Sequence, residues 1–410
     1  MARFLLSLAA KICLGWLGCG TAAWAEEPPP NLAELVGVVA DVKLTTGFTQ
    51  GSVEVVKVVP GTAPGAIRSL TVKPVDAPRQ TILGAQLVTE ILVKGVPLDV
   101  TYDKRTRELV HDPAKRTARL ARDAKVLEQL RAKRARLWEE ISDEDNANYV
   151  AEQKAFLQKA QETMGLPMQL LETRYYLFFT DMPLNTVGPY VAYLDQMYLN
   201  LTKAFDFPDG KNIWRGKCPI VAFQNAVDYQ RFERTVMNNP NAAGTAGLCH
   251  SYSDGRVVMS CYKGSSEGFF AVVLVHETSH GFIHRYKSTV HVPAWINEGI
   301  ADWVAGTVVG KLDDEVRDRQ FEAVTWIRAT GTLGGNFFAD DTAFDRRQYG
   351  VASSMVEILL RIDPKKYRKL IDGVKEGLDS EEALRQAYGV GFLELTQHYG
   401  RVAQVPNLRP

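Results

Sequence analysis

The sequence predicts an α+β protein: a small all-β module, a long helical linker, and a larger C-terminal part in which a mixed sheet is followed by helices. Three observations carry this prediction. Residues 34 to 111 hold short β-branched runs broken by Gly and Pro. Residues 113 to 164 carry no strong turn signal. Beyond Pro167, buried-strand runs give way to an almost wholly helical end. The expected boundaries are 26–111 for the module, 112–166 for the linker and 167–410 for the C-terminal domain, behind a leader of residues 1–25.

The leader reads as a signal peptide. Arg3 supplies the positive start, Phe4 to Trp24 is mostly apolar with Lys11 interrupting it, and Ala23-Trp24-Ala25 offers an A-x-A cleavage site before Glu26. It is too short and too broken for a membrane anchor, so a secreted or periplasmic protein with no stable membrane insertion after cleavage is expected. A lipoprotein through Cys19 is the alternative, although Trp16-Leu17-Gly18 makes a poor lipobox. The whole chain is 46% hydrophobic and 23% charged, ordinary for a globular protein, and its formal net charge of zero leaves no electrostatic case for nucleic acid.

In the module, Val53 to Val59 and Ile67 to Val75 are strand-like. Leu98 to Tyr102 and Arg107 to Val110 bracket a turn at Asp103-Lys104-Arg105-Thr106 and read as a hairpin. No cluster of His, Cys or acidic residues gives this part chemistry, which leaves binding or spacing as its role. In the linker, Leu120, Leu127, Leu130, Leu137 and Ile141 fall on a heptad-like stripe. The run Lys115 to Arg136 is mostly basic, and its bland reading is a solvated helix face rather than a contact with an anionic surface.

In the C-terminal domain, Tyr175 to Thr180 and Ile220 to Gln224 suit buried strands. Between them Val187 to Phe205 is helical, with Tyr190, Leu194, Met197, Leu201 and Phe205 on one face. Val227 to Met237 is helical again, and Gly247 to Tyr262 forms a hairpin. The helical end comprises Glu315 to Ala329, Gly350 to Ile362, Pro364 to Val374, Ser380 to Ala387 and Phe392 to Val402. Removing the leader leaves Cys218, Cys249 and Cys261. A three-residue turn at Ser253-Asp254-Gly255 would set Cys249 opposite Cys261 and allow a disulfide with Cys218 free; otherwise all three are small buried apolar residues.

The stretch around which the domain is organised is GFFAVVLVHETSHGFIHRYKSTVHVPAWINEGIADW, residues 268 to 303. An apolar run leads straight into His276, Glu277 and His280. On one helix the two imidazoles share a face, with the carboxylate to one side of the gap between them, the arrangement that binds zinc and presents a base to its water. Two histidines leave such a site short of a protein ligand. After Pro293 a second helix start offers Glu298, which would complete a His2Glu set with one position open. Asp302, four residues on, could accept the free ring N–H of His276. A structural zinc site would close with four ligands, usually cysteines, and no cysteine lies in this stretch.

HETSH followed by WINEGIAD resembles the gluzincin metallopeptidases, and LVHETSHGFIHRY with PAWINEGIADW is closest to secreted bacterial proteins grouped as peptidase-MA-like. The resemblance covers about residues 170 to 405. It implies a zincin-like catalytic domain, zinc at His276, His280 and Glu298, Glu277 as general base and Asp302 behind the metal ligands. It says nothing specific about substrate. The metzincin pattern fails, because its third histidine would fall where this chain has Tyr286.

The expected activity is therefore zinc-dependent hydrolysis of a peptide or protein substrate, with Glu277 moving the proton. Tyr349, at the head of a helix, is the candidate second electrophile, against a plain packing role. Residues Gly244 to Ser251 are placed to pair with substrate backbone as an edge strand. His250, in the hairpin beside Cys249, is a candidate to line the cleft. His284 lies a turn beyond the metal pair and suits solvent or a backbone partner, His291 lies between the two ligand-bearing helices, and His111 and His398 have no suggestive context. The rivals are a catalytically inactive binding protein on the same fold, at the cell surface, and a hydrolase of non-peptide amides.

Overall fold

The computed structural model describes residues 32 to 410 apart from 48, 76, 77, 94, 95, 209, 311–313 and 341. The expected signal peptide, Cys19 and the spacer Pro28 to Pro30 lie outside the described residues. The chain is of the α+β class and falls into two compact units that part between Leu130 and Arg131. Among the described residues no helix is long and apolar enough to cross a membrane.

The N-terminal unit is a β sheet. Its strands are β1 (Val39–Leu44), β2 (Thr49–Pro60), β3 (Ile67–Pro74), β4 (Thr81–Gly84), β5 (Val88–Val93), β6 (Val96–Pro97), β7 (Val100–Asp103) and β8 (Glu108–His111). They run in the order β6-β5-β1-β2-β3-β8-β7, with β4 also paired to β3. Alternation sets the inner face: Val42, Val55, Val72, Ile91, Val100 and Leu109 are buried together. The expected turn at 103–106 forms because Asp103 Oδ1 accepts from the backbone N–H groups of Arg105 and Thr106, and Arg107 takes the left-handed region at φ 59°.

Two helices follow, α1 (Pro113–Arg134) and α2 (Asp143–Met164). The heptad-like stripe does not act as one. Leu120 is 47% exposed, α1 stops at Arg134, and Leu137, 63% exposed, lies instead in an isolated antiparallel bridge with Ser288. Ile141 is also outside any helix. Residues 135–142 lie outside any helix, and the backbone of residues 136–138 pairs with residues 287–289. Helix α2 starts at Ser142, whose hydroxyl accepts from Asp145 N–H, and carries Asp143, Glu144 and Asp145 on the positive end of its dipole. Its Leu157, Ala160 and Met164 pack with Leu177, Phe179, Val221, Phe223, Tyr229 and Phe232, so this helix belongs to the core of the C-terminal unit.

The C-terminal sheet contains β9 (Gln169–Glu172), β10 (Tyr176–Thr180), β11 (Cys218–Phe223), β12 (Gly247–Ser251) and β13 (Val257–Tyr262), in the order β12-β13-β11-β10-β9. The inner three are parallel and the two edges antiparallel. β10 and β11 are buried along their whole length, as parallel strands covered on both faces must be, and this is why they read as unbroken apolar runs. Helices α3 (Gly188–Phe205) and α4 (Ala226–Thr235) lie between the strands in sequence. Then come α5 (Glu267–Arg285), α6 (Ala294–Val309), α7 (Glu315–Thr330), α8 (Arg346–Ile362), α9 (Pro364–Lys375), α10 (Ser380–Tyr388) and α11 (Phe392–Ala403). Helix starts obey local chemistry: Asp345 and Gln348 form a capping box on α8, and Asp363 caps α9 ahead of Pro364 at its first position.

Candidate metal centre

Helix α5 opens on an apolar run, Phe269 to Val275, and is buried on most sides, the expected fate of such a run. Ser266 opens it by accepting from Phe269 N–H at 3.1 Å. Glycines set how close its neighbours come. A Cβ on Gly281 would stand 2.7 Å from Val257 Cγ1, so α5 rides directly on β13. A Cβ on Gly247 would stand 2.7 Å from Val273 Cγ1 and 3.1 Å from Glu277 Cγ, so edge strand β12 lies against the face that carries Glu277. Gly299, beside Glu298, lets α6 press on α8, and Gly350, beside Tyr349, lets α8 meet the carbonyl of Arg319 on α7.

These contacts bring three ligand atoms together. His276 Nε2 and His280 Nε2 are 3.1 Å apart, and Glu298 Oε2 is 3.2 Å from the first and 3.3 Å from the second. A tetrahedral zinc with bonds of the usual length separates its ligand atoms by about 3.3 Å. The triangle therefore has the dimensions of one face of a zinc tetrahedron, and the donor set is the one zinc takes. Two further observations fit a cation at its centre. Glu298 Oε2 is buried and makes no hydrogen bond of normal geometry. His276 Nδ1 lies 2.8 Å from Asp302 Oδ1, and an N–H donated there leaves the Nε2 lone pair facing the triangle.

The surrounding charge favours a positive occupant. Burial opposes protonation of His276, but the hydrogen bond to Asp302 and then Glu298 overcome it and lift its pKa to about 10. Burial likewise opposes protonation of His280, and Glu298 outweighs it and raises the pKa. Glu298 itself is buried, yet His280 and His276 hold its carboxyl well below the usual range. Behind these groups sits Asp302, fully buried, with Arg319 Nη1 3.1 Å from its Oδ1. Arg319 is the residue sequence reasoning missed: nothing in its local sequence marks it, and it reaches Asp302 only because α7 folds back beside α6.

Glu277 is half-buried beside the pair of histidines, whose pKa values it also raises. The ring of Tyr349 is 6.1 Å from that of His276, centre to centre, and the Arg319 guanidinium lies 5.9 Å from the centre of the same phenol ring. Burial, then the carboxylates of Glu298 and Glu277, push the Tyr349 hydroxyl upward, so it stays a neutral donor. The sequence-expected residues His276, Glu277, His280, Glu298, Asp302 and Tyr349 thus occupy one place in the fold.

Two expectations need correction. Cys249 and Cys261 are not bridged, and Cys218, Cys249 and Cys261 are all free thiols. The three-residue turn at Ser253-Asp254-Gly255 forms, closed by Tyr252 N–H donating to the Arg256 carbonyl, but a register centred on Asp254 pairs Cys249 with Met259 and Gly247 with Cys261, two residues away from a Cys249–Cys261 pair. His250 does not line the cleft. Alternation puts Gly247 on the α5 face and His250 on the opposite one, where its Nε2 lies 3.0 Å from Glu233 on α4. His284 finds a backbone partner, with Nε2 3.0 Å from the Tyr252 carbonyl, and burial pushes its pKa down to about 4.

No protein-family model matches the chain, and no curated protein is significantly similar to it.

Proposed function

We propose that the chain is a zinc-dependent hydrolase of peptide bonds with a gluzincin-like, zincin-type catalytic domain. The observation that carries this reading is the triangle of His276 Nε2, His280 Nε2 and Glu298 Oε2, whose edges of 3.1, 3.2 and 3.3 Å match zinc, set beside the otherwise unassigned carboxylate of Glu277. Zinc, when bound, supplies a Lewis acid that lowers the pKa of a water to about 7 and polarises a carbonyl.

The chain's own residues supply the rest. Asp302 and Arg319 fix the tautomer and orientation of His276. The Glu277 carboxylate accepts a proton from the attacking water and returns it to the departing nitrogen. Tyr349, kept neutral by burial and then by the carboxylates around it, donates a hydrogen bond to the oxygen on which charge develops. The outer edge of β12, brought against Glu277 by Gly247, offers backbone groups to an extended substrate. A binding protein without turnover would have no use for Glu277 in this position.

The test is a diverse unlabelled peptide mixture read by mass spectrometry. Cleavage should vanish on chelation and return when zinc is restored. Cleavage unaffected by chelation would remove the reading.

A further inference from the structure

The histidines and the glutamate of the triangle stand on different helices, so the connection between α5 and α6 bears on how they meet. In that connection three carbonyls converge on one ammonium. Lys375 Nζ, at the end of α9, donates to the carbonyls of His284, Ser288 and Val290 at 3.2, 3.0 and 2.9 Å. A lysine has three N–H donors, and here all three serve this one stretch of chain. The Ser288 hydroxyl donates back to the Lys375 carbonyl, so the join is reciprocal. About a turn earlier on α9, Asp372 accepts from the Tyr286 hydroxyl at 2.9 Å and lies 3.1 Å from Lys287 Nζ. A second element holds the same stretch: Leu137 bridges to Ser288, and the Trp138 indole donates to the His284 carbonyl at 3.2 Å.

A lysine is a costly residue for this position. It is 1% exposed, no carboxylate among the described residues pairs with it, and burial, then the charge of Arg285, pushes its pKa down to about 7. A buried ammonium without a countercharge is destabilising unless its hydrogen bonds compensate. An apolar side chain would fill the space at less cost, but it would take this donor from three carbonyls at once. Lys287 adds a second sign. Its φ of 61° is uncommon for a residue with a Cβ, so the turn keeps its form through its anchors rather than through local preference.

Resting on the metal-centre reading above, we propose that Lys375 is a positioning residue: it pins the connection between α5 and α6 and so fixes where Glu298 stands relative to His276 and His280. It touches neither metal nor substrate and acts through the backbone of residues 284–290.

The test uses full-length protein and two metals. Zinc affinity is measured by competition with a chelator, and ligand geometry by the visible absorption of the cobalt(II)-substituted protein. Lys375→Met keeps the length of the side chain and removes its donors. It should bind zinc about 10-fold or more weakly, the scale on which residues behind metal ligands act, and its cobalt spectrum should differ from that of wild type. Ser288→Ala loses only the return bond, which leaves a milder variant should Lys375→Met fail to fold. It should weaken zinc binding about two- to tenfold. Leu157→Ala, in the core of the C-terminal unit, is the control for lost stability alone and should keep the wild-type affinity and spectrum. Wild-type zinc affinity and a wild-type cobalt spectrum in each of the first two variants that folds overturn the proposal, however much stability is lost. An equal loss of affinity in Leu157→Ala overturns it too, because the effect then follows stability. Failure of the wild-type protein to bind either metal instead overturns the metal-centre reading on which the proposal rests.

Discussion

A Cβ placed on Gly299 would stand 2.7 Å from the carbonyl oxygen of Ala352, which means that α6 and α8 cross at that point with no room for a side chain. Glu298 immediately precedes Gly299, and Tyr349 lies one turn before Ala352. The close crossing is therefore what brings a ligand of the metal triangle and the candidate electrophile onto one side of the helix pair. It also gives the glycine of the N-E-G sequence a physical reason.

Gly299→Ala should force the helices apart. Overpacking at a buried crossing costs about 1 to 3 kcal/mol, and Glu298 moves with its helix. Denaturant unfolding and zinc analysis together check this: stability should fall and zinc occupancy with it. A variant as stable and as zinc-rich as wild type would contradict the crossing as described.

Asp302 and Arg319 orient His276 from behind. Asp302→Ala should weaken zinc binding by about 10- to 100-fold, the usual cost of losing such a partner. Arg319→Leu should act in the same direction, and Arg319→Lys less so. Competition against a chelator of known affinity measures each. Unchanged affinity in Asp302→Ala would show that the 2.8 Å contact to His276 does not hold the ligand.

The pH dependence follows from His276, whose pKa the neighbouring carboxylates lift to about 10 against the opposing effect of burial. Metal-free protein therefore carries a proton on this ring at pH 7, and zinc must displace it. Calorimetry in buffers of different ionisation enthalpy should show proton release on zinc binding, and affinity should fall as pH falls. Without metal, the folded state binds this proton more tightly than the unfolded one. Its contribution to stability is thus full below about pH 6.5, the unfolded histidine value, and is lost as pH rises towards 10. Zinc binding with no proton exchange at pH 7 would contradict the electrostatics of the triangle.

Cys218, Cys249 and Cys261 should each react with an alkylating reagent in denatured protein that has not been reduced. Peptide mapping settles it, and a Cys249–Cys261 bridge would mean that the hairpin register pairs differently from the one described.

Much of this site is written locally in the sequence. The apolar run before His276, the four-residue spacing to His280 and the four-residue spacing from Glu298 to Asp302 are consequences of helix geometry, and sequence carries helix geometry well. Strands β10 and β11 were legible for the same reason, since burial on both faces leaves an unbroken apolar run. What was not legible depends on contacts between distant elements. The cysteine pairing fails although its turn forms where expected, because a hairpin centred on Asp254 sets Met259, not Cys261, opposite Cys249. The face of the sheet that receives His250 follows from where α4 places Glu233. Leu137 leaves the helical stripe because the backbone of residues 287–289, distant in sequence, offers it a partner. Arg319 reaches Asp302 only once α6 and α7 are folded together.

The most direct test of the central claim is Glu277→Gln, measured for zinc content and for peptide cleavage in the same preparation. Glutamine keeps the shape of the side chain and removes its capacity to take a proton. The account predicts about one zinc per chain in both proteins, one ion for the one triangle, with cleavage slowed by about 100-fold or more in the variant. Cleavage at the wild-type rate by zinc-loaded Glu277→Gln would contradict it.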